Sequence, residues 1–561
     1  MAGLYEQSSA LELLDSAYGY QAEYEPTKHK AFWRGQSRLA TPFSAEMAAI
    51  HWQPTANEAA ETVSLPPSRG GDVRYHVNER GHWYTGCSVE PEEIPEREQR
   101  FKEFTVPILK DPLEWWEQYK KQLDELWKPV KEFALDVENK KDVEVSIFLN
   151  EDYWVRMKKA YRIHYIVMYP LASFYIALES MTKELVGIED NDVRFKKMFQ
   201  GFNNRSYETD RQLWKLAQRA EELGLQEIIA STTQEEMGEL PSILEQTEAG
   251  KQFVTEFRKF LREYGWRNET FDDCSEPGWI DDPAMPLAHI KEHLGEPVFR
   301  LDEISPQLIK EREQIVEEIS SQLPQEQKGI WLALLRGSQV FQVFGEEHPL
   351  YIEMPSVTTH YRIIREVGKR WERKGTIEHW RDIFHLSAFE VFNHIIIYRD
   401  LDYRKLVERR KKLWEENNRK AADEPNYWGD PTQAEVDPVL RKVSGYGTTV
   451  RVTAGAIAAG IPGAPGIAEG VARIISSPKE CNQIKDGDIL VCEMTTSAWL
   501  PIFSNIKGVV SDWGGSLCHA AIVAREYGIP AVVSCKDATR RIKNGHGIRV
   551  NGNKGLVYAV D

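Results

Sequence analysis

The amino-acid sequence changes character near residue 455, and this change divides the chain into two architectures. Of its 37 glycines, 13 fall among residues 456–561, where they separate short apolar runs. The preceding residues instead contain long segments whose apolar positions recur every three to four residues. A period near 3.6 residues is typical of amphipathic helices, whereas short runs between glycine turns are typical of strands. The sequence therefore predicts a multidomain chain, with a large, mainly α-helical part followed by a compact α/β domain.

The periodic segments and the short apolar runs give the expected boundaries. Helices are predicted at 113–137, 152–185, 210–223, 248–264, 307–321, 361–374 and 519–527. Strands are predicted at 471–476, 488–492, 508–511, 531–534, 547–550 and 556–560, and a hairpin at 73–77 and 83–85. Residues 421–460 lack periodicity and contain two Asp-Pro pairs, which is typical of a connector. We therefore expect a helical part at 1–420 with the hairpin near its start, a flexible connector at 421–460 and an α/β domain at 461–561.

Charge and cysteine content narrow the range of functions. The chain has 70 basic and 87 acidic residues, which gives a formal net charge of −17. Nucleic acids and anionic membranes attract clustered Lys and Arg, so this balance argues against both as partners. Residues 163–178, the most membrane-like uncharged run, include His164 and Pro170 and fall short of the roughly 20 apolar residues that a membrane span needs. Six cysteines without a Cys-x-x-Cys pair, and an acidic N-terminal stretch unlike a signal peptide, indicate a cytoplasmic protein without a zinc site.

One motif carries most of the chemical information in the chain. Residues 514–533 read GGSLCHAAIVAREYGIPAVV, and they follow a predicted strand that ends at Asp512. The two glycines allow a tight turn, and His519 then opens a helix that closes at Gly528. A helix N-terminus favours a bound anion, and an imidazole there is a plausible covalent carrier of a phosphoryl group. A lone glycine-histidine turn also fits an ordinary helix residue, so the surrounding residues decide between the two interpretations.

The motif resembles the phosphohistidine swivelling domain of the PEP-utilising enzymes, which include phosphoenolpyruvate synthase, pyruvate phosphate dikinase and rifampin phosphotransferase. Two upstream segments extend the resemblance: GAPGIAEGVA at 463–472, like the opening strand of that domain, and TTSAWLP at 495–501, like its loop facing the histidine. The resemblance implies that His519 carries a phosphoryl group. The residues that it places around the phosphate are Gly514, Gly515, Ser516 and Arg525.

A segment of the helical part is similar to the substrate domain of rifampin phosphotransferase. It runs from 264 to 279 and reads YGWRNETFDDCSEPGW. The resemblance places Arg267, Trp266 and Phe271 at the substrate. Trp266 and Phe271 stand where the family pattern leads us to expect a histidine and a glutamate. If they face the pocket, the acceptor is flatter and more apolar than in the relatives; packing in the core explains them equally well.

A weaker likeness to the same helical domain covers 345–386 and includes Glu347 and His348. An imidazole is easily tuned to neutrality, so His348 is a candidate general base for an acceptor hydroxyl, with Glu347 beside the substrate. The alternative is a surface histidine that precedes Pro349. The aromatic-rich helix from Tyr153 to Tyr175 is either core or one wall of an aromatic pocket.

The resemblance also implies the reaction and its partner. The chain has no glycine-rich phosphate loop and no segment like an ATP-grasp domain, so it looks like the alpha subunit of phenylphosphate synthase, or like rifampin phosphotransferase without its ATP-grasp domain. A separate ATP-grasp subunit is then expected to charge His519 from ATP, with AMP and phosphate as the other products. Mg²⁺ or Mn²⁺ is expected with the nucleotide on that partner, and no metal on this chain. The helical part is expected to present a phenol-like hydroxyl.

Two other functions remain compatible with the sequence. One is a split, rifampin-phosphotransferase-like kinase that acts on an antibiotic or an aliphatic hydroxyl. The other is a phosphohistidine carrier or regulatory module that has no acceptor of its own.

Overall fold

The computed structural model describes most of the chain beyond residue 90 and short pieces before it. The described residues are 31–34, 39–47, 55–56, 58–59, 72–77, 83–88, 91–270, 273–396, 401–420, 424–425, 427–429, 438–448, 450–453 and 455–560. Phe271, which the sequence placed at the substrate, lies outside them.

Helices dominate the described residues before 450. They are α1 (Ile94–Thr105), α2 (Pro112–Leu135), α3 (Asp142–Ile147), α4 (Trp154–Val186), α5 (Val193–Lys197), α6 (Arg205–Glu222), α7 (Gln226–Ser231), α8 (Leu240–Leu244), α9 (Glu248–Tyr264), α10 (Ala284–Glu292), α11 (Arg300–Ser321), α12 (Gln325–His348), α13 (Met354–Lys374), α14 (Ala388–Ile396), α15 (Arg404–Arg419) and α16 (Pro438–Ser444). π-helical turns at Phe148–Tyr153 and Pro349–Glu353 lead into α4 and α13. This confirms the predicted helical part, and every helix predicted there is present.

Local sequence explains where the long helices begin and end. Asp111 accepts a hydrogen bond from the backbone of Glu114 at the start of α2, and Asn204 does the same for Tyr207 at the start of α6. The helix α4 ends at Gly187, whose φ of 69° is the left-handed conformation that closes many helices. These caps satisfy backbone groups that a helix end would otherwise leave unpaired.

The helices α4 and α12 form the centre of the helical part, and α2 and α13 pack around them. Residues of α4 are buried on almost all sides, which explains the uncharged run at 163–178. Among the described residues, no helix combines the length and apolar character needed to cross a bilayer.

A small antiparallel sheet contains the predicted hairpin. Its strands are β1 (Ala31–Arg34), β2 (Asp72–Val77), β3 (Trp83–Ser88) and β4 (Tyr427–Gly429), in the order β2-β3-β1-β4. The hairpin pairs Asp72 with Ser88 and Val77 with Trp83. β4 and α16 both lie within the predicted connector at 421–460, where the sequence predicted no helix or strand. They have three and seven residues, which are too few to show a hydrophobic period in the sequence. Flexibility of the connector stays a prediction.

The C-terminal domain is built on one mixed sheet. Its strands are β5 (Ala458–Ala459), β6 (Ile461–Ala464), β7 (Ile467–Ile474), β8 (Asp488–Cys492), β9 (Ile506–Ser511), β10 (Ala531–Val533), β11 (Gly547–Asn551) and β12 (Leu556–Ala559), with helices α17 (His519–Glu526) and α18 (Ala538–Arg541). The order is β5-β12-β11-β7-β8-β9-β10-β6, and β7 to β10 run parallel. Every residue of β8 is buried, as expected for a central parallel strand. The predicted α/β domain is thus confirmed.

The two parts share a hydrophobic core. Phe257 of α9 and Leu287 of α10 belong to the same buried cluster as Trp499 and Tyr527 of the α/β domain. At the centre of this contact α17 lies against α12, where a Cβ on Gly345 would come within 2.7 Å of Ile522 Cδ1. The glycine therefore permits the close approach of α17 to α12. In this structure the α/β domain is thus docked against the helical part.

A buried histidine at this contact gives stability a pH dependence. His293 Nε2 lies 3.0 Å from Asp210 Oδ1 and its Nδ1 lies 2.7 Å from Glu296 Oε2, while Tyr527 donates to the other oxygen of Asp210. Burial opposes the charged imidazole, but the two carboxylates raise the pKa of His293 to about 10. A raised folded-state pKa stabilises the fold below the usual value near 6.5, and this stability is lost as the pH rises through 10.

We therefore expect thermal stability to fall between pH 7 and pH 10 by more in the wild type than in His293→Gln, with a difference of a few kcal/mol. The same substitution at the exposed His546 is the control. Parallel wild-type and His293→Gln curves across this range would show that the ion pairs do not contribute.

Candidate active site

The glycine turn before α17 is held by close backbone contacts. Gly514 has a φ of 112°, and a Cβ there would lie 2.6 Å from Cys518 Sγ. Gly515 donates its N–H to Val443 O, and Leu517 donates to Lys442 O. The turn is therefore bound to carbonyls at the C-terminal end of α16 and needs glycine at both positions.

α16 is itself anchored to the helical part by Lys442. Its ammonium group lies 2.7 Å from both Glu179 Oε2 and Asp190 Oδ2. Although burial opposes the charge, these neighbours together with Tyr175 raise the pKa of Lys442 above its usual value. The histidine turn is thus linked to α4 through α16.

Gly515→Ala should weaken this docking. Its Cβ would lie 2.1 Å from Lys442 O, and because that atom is backbone, α16 or the turn must move. We expect faster amide hydrogen exchange at Leu517, whose N–H donates to Lys442 O, and a loss of stability of about 1–3 kcal/mol. Gly329→Ala on α12 is the matched control, because nothing lies within 4 Å of its added Cβ. It should leave exchange at Leu517 unchanged; equal exchange in both variants would contradict the docking role.

His519 lies at the first position of α17 between one residue of its own domain and one of the helical part. Its Nδ1 is 2.8 Å from Thr495 Oγ1, and its Nε2 is 3.3 Å from Glu346 Oε2 of α12. The ring also packs edge-on against Phe503. Its side chain is 10% exposed and that of Glu346 is fully buried. The geometry leaves Nε2 as the nitrogen that faces the helical part.

Burial sets the protonation of this pair. It lowers the pKa of His519 to about 3, and the charge of Arg267 adds to the effect. Burial also raises the pKa of Glu346 well above its usual range, and the nearby Glu526 adds to this. A neutral imidazole keeps a lone pair available for bond formation at neutral pH, and the carboxyl group of Glu346 has an increased proton affinity.

Several buried polar atoms in and beside the turn have no hydrogen-bond partner within the described part of the chain. They are His519 Nε2, both carboxyl oxygens of Glu346 and Ser516 Oγ. Buried polar groups are normally paired, and unpaired groups gathered at one place point to a ligand. A phosphoryl group on Nε2 would offer acceptors to hydroxyl donors such as Ser516.

Arg267, predicted at the substrate, is buried at the junction of the two parts. It donates to Thr209 Oγ1 in α6 and, at 3.4 Å, to Ser497 O, two residues from Thr495. Burial lowers the pKa of Arg267 to about 9, and Arg205 adds to this. Ser497 belongs to the loop 495–501 that faces His519, which we call the histidine loop. A guanidinium group held beside this loop can neutralise charge on a phosphoryl group.

The structure brings Arg525 near the site but directs its charge to protein oxygens. It donates to Gly463 O at 2.6 Å, to Ser516 O at 3.1 Å and to Gln342 Oε1 at 2.6 Å. The guanidinium therefore braces the histidine turn against α12. Its binding to phosphate stays a prediction.

Glu347 and His348 face away from His519, because they follow Glu346 around the turn of α12. Glu347 Oε2 accepts from Trp116 Nε1 at 2.8 Å and lies 2.9 Å from Lys120 Nζ. His348 Nδ1 lies 3.1 Å from Glu353 Oε1, which also lies 2.7 Å from His164 Nδ1. The structure does not bring His348 into contact with His519, so its role as general base stays without support from the geometry.

His164, His348 and Glu353 offer one ligand atom each within 4.8 Å of one another, and they could hold a metal ion. Two imidazoles and a carboxylate are a donor set found around divalent cations. In the described structure the carboxylate instead bridges the two rings by close contacts.

Trp266 lines a cavity of about 360 Å³ beside Arg267. The remaining lining residues are Asp124, Trp127, Lys131, Arg205, Arg262, Glu263, Tyr264, Leu350 and Tyr351. Four of the lining side chains are aromatic, and Arg267 contacts both the cavity and the histidine loop. Arg267 thus connects the cavity to the loop that contains Thr495, a contact of His519.

The sequence analysis selected Glu347 and His348 as candidate site residues and missed the adjacent Glu346. Gln342 and Glu346 are four residues apart, so they share the face of α12 that meets Arg525 and His519. That spacing was visible in the sequence, but nothing there indicated which face of α12 meets α17.

Comparisons with known proteins agree with both halves of this arrangement. Residues 484–555 match the family described as "PEP-utilising enzyme, mobile domain", and residues 162–343 match "Rifampicin phosphotransferase fourth domain". The chain is 30% identical over 404 residues to the uncharacterised phosphotransferase YvkC of Bacillus subtilis. The aligned region covers 72% of this chain and 47% of that protein.

Two further relatives match more limited regions. The rifampicin phosphotransferase of Bacillus cereus is 29% identical over 307 residues, 53% of this chain and 33% of that protein. A probable phosphoenolpyruvate synthase of Archaeoglobus fulgidus is 48% identical over 99 residues, 18% of this chain and 13% of that protein. The chain therefore spans less than half the length of these curated relatives.

Proposed function

We propose that the chain is the acceptor subunit of an ATP-dependent phosphotransferase of the PEP-utilising enzymes. The matches of residues 484–555 to the mobile domain of that family and of residues 162–343 to a rifampicin phosphotransferase domain support this proposal. His519 carries the phosphoryl group and transfers it to the hydroxyl of an aromatic acceptor. The observation that carries this proposal is the placement of His519 Nε2 3.3 Å from the buried carboxyl group of Glu346.

The transfer step follows from the atoms at this junction. The acceptor oxygen attacks phosphorus, the Nε2–P bond breaks and an O–P bond forms. The hydroxyl proton passes to the carboxylate of Glu346 and then to Nε2, which leaves as neutral imidazole 3.3 Å away. Proton, phosphoryl group and charge are thus balanced without another reactant.

The chain offers positive charge for the moving phosphoryl group. Arg267 lies at the junction with the histidine loop, and its charge acts on the imidazole. Phosphoryl transfer depends mainly on positioning and on neutralising the equatorial oxygens. Arg267 is therefore the residue of this chain that would stabilise the transferring group.

The cavity beside Arg267 suits an aromatic acceptor. Its aromatic side chains are Trp127, Tyr264, Trp266 and Tyr351. A volume of about 360 Å³ is at the small end of the range for drug-sized ligands, roughly 300–1,000 Å³, and favours one or two rings over a large antibiotic. Trp266 then faces the pocket, which is the first of the two roles considered for it.

Charging requires His519 to leave this junction. We propose that a separate ATP-grasp subunit phosphorylates it from ATP, and that segment 421–460 permits the movement. The described contacts of His519 are Thr495, Phe503 and the carboxyl group of Glu346, and the charge of Arg267 acts on its imidazole. One carboxyl group is too few ligands for a divalent cation, so these residues fit a phosphoryl group better than a metal. Mg²⁺ or Mn²⁺ would accompany the nucleotide on the partner and shield its phosphates.

Isotope exchange tests the acceptor half-reaction without the partner. The full chain is incubated with phenyl phosphate and ring-labelled phenol, and label entering phenyl phosphate is measured. Exchange is expected, because the phosphoryl group passes to His519 and back. No exchange, with His519 still phosphorylated in extracts that supply ATP, would favour a carrier without its own acceptor.

A further inference from the structure

We propose that the aromatic acceptor bears a negatively charged group, such as a carboxylate, which Lys131 binds at the end of the cavity formed by α2 and α9. This inference rests on the proposed function and names the class of acceptor. It uses the cavity of about 360 Å³ beside Arg267, whose walls combine aromatic rings with basic groups.

The charge of the cavity lining is positive. Its cations are Lys131, Arg205, Arg262 and Arg267, and its acidic residues are Asp124 and Glu263. One of these acids is already engaged, because Glu263 Oε1 lies 3.1 Å from an Arg205 nitrogen. A neutral phenol would leave this surplus of positive charge without a counter-charge.

Lys131 is the cation best placed to meet an anion. Its ammonium lies 5.4 Å from the centre of the Trp266 ring, and within the described ranges it makes neither an ion pair within 4.0 Å nor a hydrogen bond. Burial lowers the pKa of Lys131 to about 8, and Arg205 adds to this, although Asp124 opposes it. A bound anion would restore the stability of its charged form.

The phosphoryl group does not account for this charge. Arg267 meets the histidine loop through Ser497 O, whereas Lys131 belongs to α2 and Arg262 to the end of α9. An acceptor ring between the aromatic walls would direct its hydroxyl towards Arg267 and Glu346. Its charged substituent would then lie beside Lys131, where α2 forms the wall of the cavity.

Binding of matched acid and amide probes tests the inference. Calorimetric titration of the full chain would compare 3- and 4-hydroxybenzoate with the corresponding hydroxybenzamides, which have nearly the same shape but no charge, and with phenol. We expect at least one hydroxybenzoate to bind about tenfold more tightly than its amide at low ionic strength, and salt to reduce the difference.

Variants locate the contact. Lys131→Met should remove the preference for the acid, so that each hydroxybenzoate binds no more tightly than its amide, whereas Lys128→Met, the same change at an exposed position of α2, should keep the preference. Equal affinity of acid and amide in the wild type, with phenol bound and exchanged, would overturn this inference and leave the proposed function intact. No binding of any probe, together with no isotope exchange, would overturn both.

Discussion

Replacing His519 with alanine is expected to abolish exchange of label between phenyl phosphate and phenol, with a loss of at least about 10⁴-fold. The imidazole is the group that forms the N–P bond in the proposed mechanism, and neither Thr495 nor Glu346, its immediate contacts, is an equivalent carrier. The variant should still fold, because the adjacent turn is held by backbone contacts to α16 rather than by the imidazole.

His546→Ala is the matched control, because this exposed histidine belongs to the same domain. It should retain wild-type exchange and wild-type thermal stability. Mass spectrometry should find acid-labile phosphate on the wild-type peptide that contains His519 and on the control, but not on His519→Ala. Exchange that survived in His519→Ala would show that the phosphoryl group passes directly between aryl oxygens or through another residue.

The fold could be predicted from the sequence where its signals are local. The period of α9 and its threonine cap define a helix at 248–264 without tertiary information. The glycine turn and the following apolar helix predict α17 in the same way. By contrast, α16 has seven residues and becomes helical in a segment without periodicity, where Lys442 binds Glu179 and Asp190. Such contacts, over 250 residues apart in sequence, leave no local pattern.

The candidate site shows the same difference between residues with local sequence signals and residues that depend on long-range contacts. His519 and its turn could be found because all their determining residues are consecutive. Glu346 lies 173 positions away in a helix of the other part, and its significance depends on the docking of α17 against Gly345. Among three consecutive polar residues, sequence reasoning favoured Glu347 and His348, which the structure directs to Lys120 and Glu353. The three residues differ only in the side of α12 from which each side chain projects, and the sequence does not show which side meets His519.

Glu346→Gln should slow phosphoryl exchange by about 10²–10⁴-fold while preserving the docked structure. Glutamine has the shape of glutamate, and the substitution removes the group that accepts the hydroxyl proton. Since burial raises the pKa of Glu346, the wild-type rate should increase with pH as this carboxyl group loses its proton. The variant lacks the titrating group, so its residual rate should not follow that rise. Thermal stability should change little, because glutamine keeps the shape of the buried side chain and its polar atoms beside His519.

The pH profile separates a chemical role for Glu346 from a merely structural one. Glu326→Gln, at an exposed position of the same helix, should keep both the wild-type rate and its pH dependence. If Glu346 only shaped the site, Glu346→Gln would lower the rate by the same factor at every pH, and the wild-type slope would persist. A slower variant with an unchanged pH profile would therefore assign the proton to another acceptor. Neutral His519 Nε2 would then receive it directly as the N–P bond breaks, because a free imidazole nitrogen is a stronger base than the phosphorylated one.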